Sequence, residues 1–171
     1  VDDRIVIRRA GPDDIPAVLA LMDVAGDWLV AQGRPGQWGT GRQSANPRRQ
    51  AQARDWGEAD GFHIAEIDGV VVGALVVGLP ADFAPQPSEP DLYVNLLLAD
   101  VRRRGQGIGA LLLDHARELA RATGIGLLRL DCYDGDDRKL VRYYEGQGFT
   151  ATAPLTFGAW TGRVMEQSLH S

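Results

Sequence analysis

The stretch from Leu96 to Ala122 reads LLLADVRRRGQGIGALLLDHARELARA. It continues an apolar run, Leu92-Tyr93-Val94-Asn95-Leu96-Leu97-Leu98, that predicts a buried strand. A glycine-rich turn follows, Arg102-Arg103-Arg104-Gly105-Gln106-Gly107-Ile108-Gly109-Ala110. Ile108, Leu111, Leu112, Ala116, Leu119 and Ala120 then recur at three- and four-residue spacing. That predicts an amphipathic helix from Ile108 to about Ala122, stopped by Gly124 and Gly126. Glycine has no Cβ, so backbone in such a turn can approach a ligand closely. The first N–H groups of the helix lack intrahelical partners and lie at the positive end of its dipole. Together these features suit phosphate oxygens, and the arginines can add charge-assisted bonds. The Walker pattern would need Gly-Lys-Ser or Gly-Lys-Thr after the loop, which Ile108-Gly109-Ala110 is not. A G-x-G-x-x-G fingerprint does not fit the alternating Gly105, Gly107 and Gly109. Close structural packing also explains turns of this composition, so the turn alone leaves its ligand open.

Upstream, Ile5 to Arg9 is a short strand candidate. Pro12, Asp13 and Asp14 read as a helix start, with Ile15, Val18, Leu19, Leu21 and Met22 giving an apolar face toward Trp28. Gly33 to Gly41 holds four glycines and a proline around Trp38, which predicts a loop. A polar helix candidate runs from about Pro47 to Trp56. Phe62 to Ile67 and Val70 to Leu79 flank Asp68-Gly69, a strong hairpin signal because both turn residues need positive φ. Pro80 to Pro90, with four prolines, is a loop or an edge crossing. Gly126 to Cys132 predicts a strand and Arg138 to Gly146 a short helix. Phe149 to Thr152 and Trp160 to Leu169 predict closing strands. The order is β-α-α-β-β-β-α-β-α-β-β, a mixed sheet with helices on its faces. No linker-like shift in composition divides residues 1–171.

The 171 residues are 44% hydrophobic and 24% charged, the balance of a globular chain. Lys and Arg total 18 against 23 Asp and Glu, a formal net charge of -5. Nucleic-acid or anionic-membrane binding as a main activity needs a basic surface and is disfavoured. One cysteine, Cys132, excludes an intramolecular disulfide and a cysteine-cluster zinc site. His63, His115 and His170 have no metal-ligand spacing, so no metal is expected. The start, Val1 to Arg4, lacks the basic then apolar run of a signal peptide, so a cytoplasmic protein is the expectation.

The run Arg104-Gly105-Gln106-Gly107-Ile108-Gly109 resembles the [QR]-x-x-G-x-[GA] signature of the GNAT superfamily, the acyl-CoA-dependent N-acyltransferases. As in that family, it sits between a buried strand and a long helix. Further on, Tyr143-Tyr144-Glu145-Gly146-Gln147-Gly148-Phe149 resembles the family's second signature, a helix ending in Y-x-x-x-G-F. The element order matches along nearly the whole chain. The resemblance implies a GNAT-like fold: one domain over residues 1–171, with a mixed, mostly antiparallel sheet flanked by helices. In it, a splayed parallel strand pair would bind CoA. Strand backbone at Leu97, Leu98 and Ala99 would then hold the pantetheine arm. Arg104 and the N–H groups of Gly105, Gln106, Gly107, Ile108, Gly109 and Ala110 would hold the pyrophosphate. Tyr144 matches the tyrosine near the CoA sulfur that acts as general acid. An asparagine often precedes that helix and contacts the cofactor; Asp137 stands there, and a helix-capping role is the simpler reading.

The general base is not marked by a motif. Several family enzymes use a glutamate at the position of Tyr93, which is no ordinary base at neutral pH. Asp91 is the expected catalytic carboxylate, with Glu89 on the same side of the strand and Asp131 on the next strand as further candidates. Exposed carboxylates at a strand end are the bland alternative. Cys132 reads as a buried thiol without a positioned histidine. Trp38, Trp28 and Tyr93 are the expected acceptor contacts, with core packing as the competing role for Trp28 and loop packing for Trp38.

The resulting expectation is an N-acetyltransferase that uses acetyl-CoA as cosubstrate and acetylates a primary amine by direct attack in a ternary complex. The acidic balance favours a small cationic acceptor. A protein N-terminus or lysine is the second acceptor class. A non-catalytic CoA-binding module is the rival from another functional class. No nucleic-acid or membrane partner is expected, and a homodimer is allowed.

Overall fold

A computed structural model of the protein describes residues 4–170; the acidic start Val1 to Asp3 lies outside them. The elements in chain order are β1 (Ile5–Arg9), α1 (Ile15–Ala31), α2 (Pro47–Glu58), β2 (Phe62–Ile67), β3 (Val70–Gly78) and β4 (Leu92–Ala99). They continue with α3 (Ile108–Ala122), β5 (Leu127–Tyr133), α4 (Lys139–Gly146), β6 (Thr150–Phe157) and β7 (Trp160–Ser168). The sheet is mixed and helices flank it. The chain forms two compact units, one up to Val77 together with Leu96–Asp114, the other Gly78–Asn95 with His115–Ser171.

In the first unit the strand order is β1-β2-β3-β4. β1 pairs antiparallel with β2, and β2 with β3. The hairpin turns at Asp68 (φ 51°) and Gly69 (φ 78°), the positive-φ pair expected of Asp-Gly. A 3-10 turn at Pro12–Asp14 leads into α1. Asp14 accepts from the Gly11 N–H at 3.0 Å and pairs with Arg8 at 2.8 Å. Asn46 caps α2 by accepting from the N–H of Arg48 and Arg49, and Pro47 needs no acceptor at the first helical position. The apolar faces of α1 and α2 meet the sheet through Val18, Met22, Trp56, Phe62, Ile64 and Leu98, all buried. Trp56 is therefore a core anchor.

In the second unit the order is β4-β5-β7-β6. β4 and β5 run parallel, with register from Leu92↔Leu128 to Val94↔Leu130, while β5 continues to Tyr133. β7 pairs antiparallel with both β5 and β6. Leu128, Leu130, Val141, Val164 and Met165 fill this core. β6 extends past the expected Thr152 and crosses Pro154. An edge strand tolerates proline because the missing N–H can face away from the ladder, and β6 is the terminal strand. α4 is entered through three consecutive left-handed residues, Asp136, Asp137 and Arg138. Arg138 occupies the N-cap position, so Asp137 does not cap the helix; its carbonyl instead accepts from the Arg142 guanidinium.

Candidate active site

The phosphate-type turn lies in the first unit. Asp100, at the end of β4, is buried and accepts from the Arg102 N–H at 3.0 Å. The same carboxylate holds the Arg102 guanidinium through two bonds of 2.9 Å. The Arg102 guanidinium, first, and then its backbone N–H hold the Asp100 carboxyl below the ordinary range, against the effect of burial. Gly105 (φ 84°) and Gly107 (φ 78°) then take backbone conformations that L side chains rarely adopt. At Gly105 a Cβ would meet open space, so conformation and not packing selects glycine there. The first i→i−4 bond at the start of α3 runs from Leu111 N–H to Gly107 carbonyl at 3.0 Å. The N–H groups of Ile108, Gly109 and Ala110 precede it and point out of the helix end.

The start of α3 is seated by Gly73 on β3. A Cβ at Gly73 would lie 2.9 Å from Ile108 Cγ2, 2.9 Å from the Leu98 carbonyl oxygen and 3.0 Å from Leu112 Cδ1. Only glycine lets the helix lie this close to the strand. Nothing in local sequence pattern marks Gly73 as a functional support, since a lone glycine in a strand reads first as a weakened strand. Arg104 stands over the Trp28 ring with its Cζ 4.6 Å from the ring centroid. Trp38 packs against the α1/α2 core, its Cε3 3.9 Å from where a Gly26 Cβ would sit, and its carbonyl accepts from Gln43.

The second unit gathers the proton-handling candidates. Tyr144 is 8% exposed and lies between the rings of Tyr143 and Phe149, edge-on to each. Gln147 and Phe149, just beyond α4, are held by Arg117. Its guanidinium donates to the Gln147 carbonyl at 2.7 Å and lies over the Phe149 ring. Burial first, then the nearby Cys132, Tyr143 and Asp131, push the Tyr144 phenol above its usual range. The hydroxyl is thus protonated at any ordinary pH. Burial likewise pushes the Cys132 thiol up to about 12, so it is not a thiolate nucleophile at neutral pH.

Asp131 accepts a 2.5 Å hydrogen bond from the Tyr93 hydroxyl. Burial raises the Asp131 carboxyl above its ordinary range, partly opposed by that bond. Tyr93 is 1% exposed, so its hydroxyl serves Asp131 and the ring offers no open face to an acceptor. Asp91, the expected catalytic carboxylate, has other work. Its side chain is 6% exposed and accepts from Arg129 Nε at 2.8 Å; Arg129 is 1% exposed. Arg129 also faces Glu166 at 3.9 Å and lies over the Tyr93 ring. A carboxylate bound to a buried guanidinium is held as its counter-ion, because separating the two would leave both charges stranded. Glu89, the other upstream candidate, meets His170 at 2.6 Å. Asp131 makes no ion pair among the described residues. An arginine in an otherwise apolar strand gives no hint of its partners until the strand register is known, so nothing in the sequence pattern marks Arg129.

The acetyltransferase (GNAT) family model matches residues 27–149, and the chain belongs to that family. No curated protein sequence matches it. Among solved structures, Ard1 from Thermoplasma volcanium is similar with a TM-score of 0.72 and 22% identity, over 98% of this chain and 99% of that one. The ribosomal-protein-alanine N-acetyltransferase from Brucella melitensis is similar with a TM-score of 0.64 and 25% identity, over 96% and 99%. yncA from Salmonella typhimurium, solved with its cofactor acetyl-CoA, is similar with a TM-score of 0.65 and 18% identity, over 98% and 95%. Among the described residues no group of three or more His, Cys, Asp or Glu is arranged to hold a metal ion.

Proposed function

We propose that the protein is an acetyl-CoA-dependent N-acetyltransferase that acetylates a primary amine, and that residues 1–171 act as one such domain in the cytoplasm. The observation that carries this reading is the Arg104 to Ala110 turn. It combines two left-handed glycines, three outward N–H groups of a helix end and an arginine without a carboxylate partner among the described residues. These are the donors a pyrophosphate needs, and an open Gly105 leaves room for it. Backbone at Leu97, Leu98 and Ala99 would hold the pantetheine arm. The family membership supports acetyl-CoA as the ligand.

The neutral amine nitrogen attacks the thioester carbon directly: a C–N bond forms, the C–S bond breaks, and the proton the nitrogen sheds on becoming an amide reaches the CoA sulfur through solvent. Asp131 is our candidate to take the proton from the ammonium, directly or through water, and Tyr93 orients it. Tyr144 faces the negative charge that develops on sulfur. Because burial weakens its phenol as an acid, it acts chiefly as a neutral hydrogen-bond donor to the leaving thiolate. A neutral Cys132 leaves this direct route without a competing covalent one.

The net charge of -5 favours a small cationic acceptor, and Trp38 is the proposed contact for it. A protein N-terminus is the second acceptor class, supported by the likeness to the ribosomal-protein-alanine enzyme. Titration calorimetry with CoA tests the reading. The parent protein should bind, and Gly107→Val should weaken binding at least tenfold while the fold stays cooperative. A parent protein that does not bind CoA would overturn it.

A further inference from the structure

We propose that Trp28 is a positioning residue for the phosphate turn: its indole lies under the Arg104 guanidinium and steadies it, while the N–H groups of the guanidinium stay free for a phosphate. The inference rests on the acetyl-CoA reading above and gives Trp28, expected at the acceptor, a place on the cofactor side.

Three arginines stand in a row at this turn, and the structure treats them differently. Arg102 is bound through two parallel bonds of 2.9 Å to Asp100, so its fork is engaged. Arg104 makes no ion pair among the described residues and is exposed, with Cζ 4.6 Å from the Trp28 centroid. Trp28 belongs to α1 and is half-buried, so its ring is a firmer platform than solvent. A guanidinium is planar and carries its five N–H donors in that plane. Stacking therefore uses its face, while its edge can still grip two phosphate oxygens. Left in water, the long Arg104 side chain would sample many rotamers; over the indole it is held beside the turn whose N–H groups would share the same ligand. A lysine could not do this, since its ammonium has no flat face to stack and no fork to present.

Calorimetry with CoA, and Michaelis constants for acetyl-CoA against S-acetylpantetheine, which has no phosphates, test the proposal. Trp28→Leu should weaken CoA binding roughly two- to fivefold, the range expected for an exposed cation–π contact. Trp28→Phe, which keeps an aromatic face, should recover most of that loss. In an Arg104→Gln background, Trp28→Leu should add nothing. The constant for S-acetylpantetheine should stay put in every variant. Arg104→Lys keeps the charge and leaves α1 untouched. It should lose as much affinity as Trp28→Leu, and it serves as the test if that variant fails to fold. Unchanged CoA affinity in Trp28→Leu, equal losses for S-acetylpantetheine, or full additivity with Arg104→Gln would overturn the positioning role. If the parent protein binds S-acetylpantetheine but not CoA, or neither, it is the acetyl-CoA reading that fails.

Discussion

Gly73→Ala isolates the contact that seats the helix behind the phosphate turn. The added Cβ would fall 2.9 Å from the Leu98 carbonyl oxygen, which is strand backbone and cannot rotate away. The other two close atoms, Ile108 Cγ2 and Leu112 Cδ1, are side-chain ends in the first turns of α3 and can yield only by shifting rotamer or helix. Overpacking of this kind costs about 1–3 kcal/mol. For a chain of this size that is roughly 2–12 °C in Tm. The strain is relieved most easily by lifting the start of α3, which would turn the N–H groups of Ile108, Gly109 and Ala110 away from their aim. CoA affinity should therefore fall along with stability. Gly41→Ala is the control: its Cβ would meet nothing within 4 Å, and both quantities should hold. The assay pairs denaturant unfolding with CoA calorimetry on each variant. Gly73→Ala with an unchanged unfolding midpoint would refute the packing argument. A destabilised variant with parental CoA affinity would refute the link between Gly73 and the phosphate turn.

Tyr144→Phe keeps the ring packing against Tyr143 and Phe149 and removes one hydroxyl. Turnover should drop about ten- to a hundredfold at saturating acetyl-CoA, the loss expected for one hydrogen bond to a charged sulfur, while CoA binding changes little, and Tyr143→Phe should leave turnover nearly intact. Asp131→Asn should lower turnover by about two to four orders of magnitude. In the parent, Asp131 can accept a proton only when ionised. The rate should therefore fall as pH drops through its raised pKa, and this acid limb should vanish in Asp131→Asn. Arg129→Met should destabilise by about 3–5 kcal/mol in urea unfolding, because Asp91 is left buried without its counter-ion; Asp91→Asn in that background should recover part of it. Trp38→Ala should raise the Michaelis constant for the amine far more than that for acetyl-CoA, and equal effects would remove Trp38 from the acceptor site.

The parts of this molecule that local chemistry determines were legible in the sequence. Asp68-Gly69 needs two positive φ angles and has them. Of the expected stripe, Ile108, Leu112, Ala116 and Ala120 are buried, while Leu111 and Leu119 are only half-buried. The glycines of the turn were legible because helix ends and missing Cβ atoms follow from general chemistry. What long-range register determines was not. Asp91 looked free at a strand end, and only the β4–β5 pairing, with Tyr93 opposite Arg129, shows that a buried guanidinium claims it. The same pairing brings the Tyr93 hydroxyl to Asp131 and closes Tyr93 to an acceptor. The left-handed run Asp136 to Arg138 has no glycine to announce it. Trp28 was ambiguous for a related reason, since which surface an α1 aromatic meets depends on where Arg104 comes to lie.

Acetyl transfer itself is the activity that the turn, Asp131 and Tyr144 are proposed to serve. The direct measurement is thiol release from acetyl-CoA across a panel of small cationic amines and short peptides, with the acetylated amine identified by mass spectrometry. We expect release of one thiol per acetamide formed, faster with at least one small cationic amine than with any peptide, and slower in Tyr144→Phe. Tight CoA binding with no acetylated product from any amine would contradict the account and leave a CoA-binding module in its place.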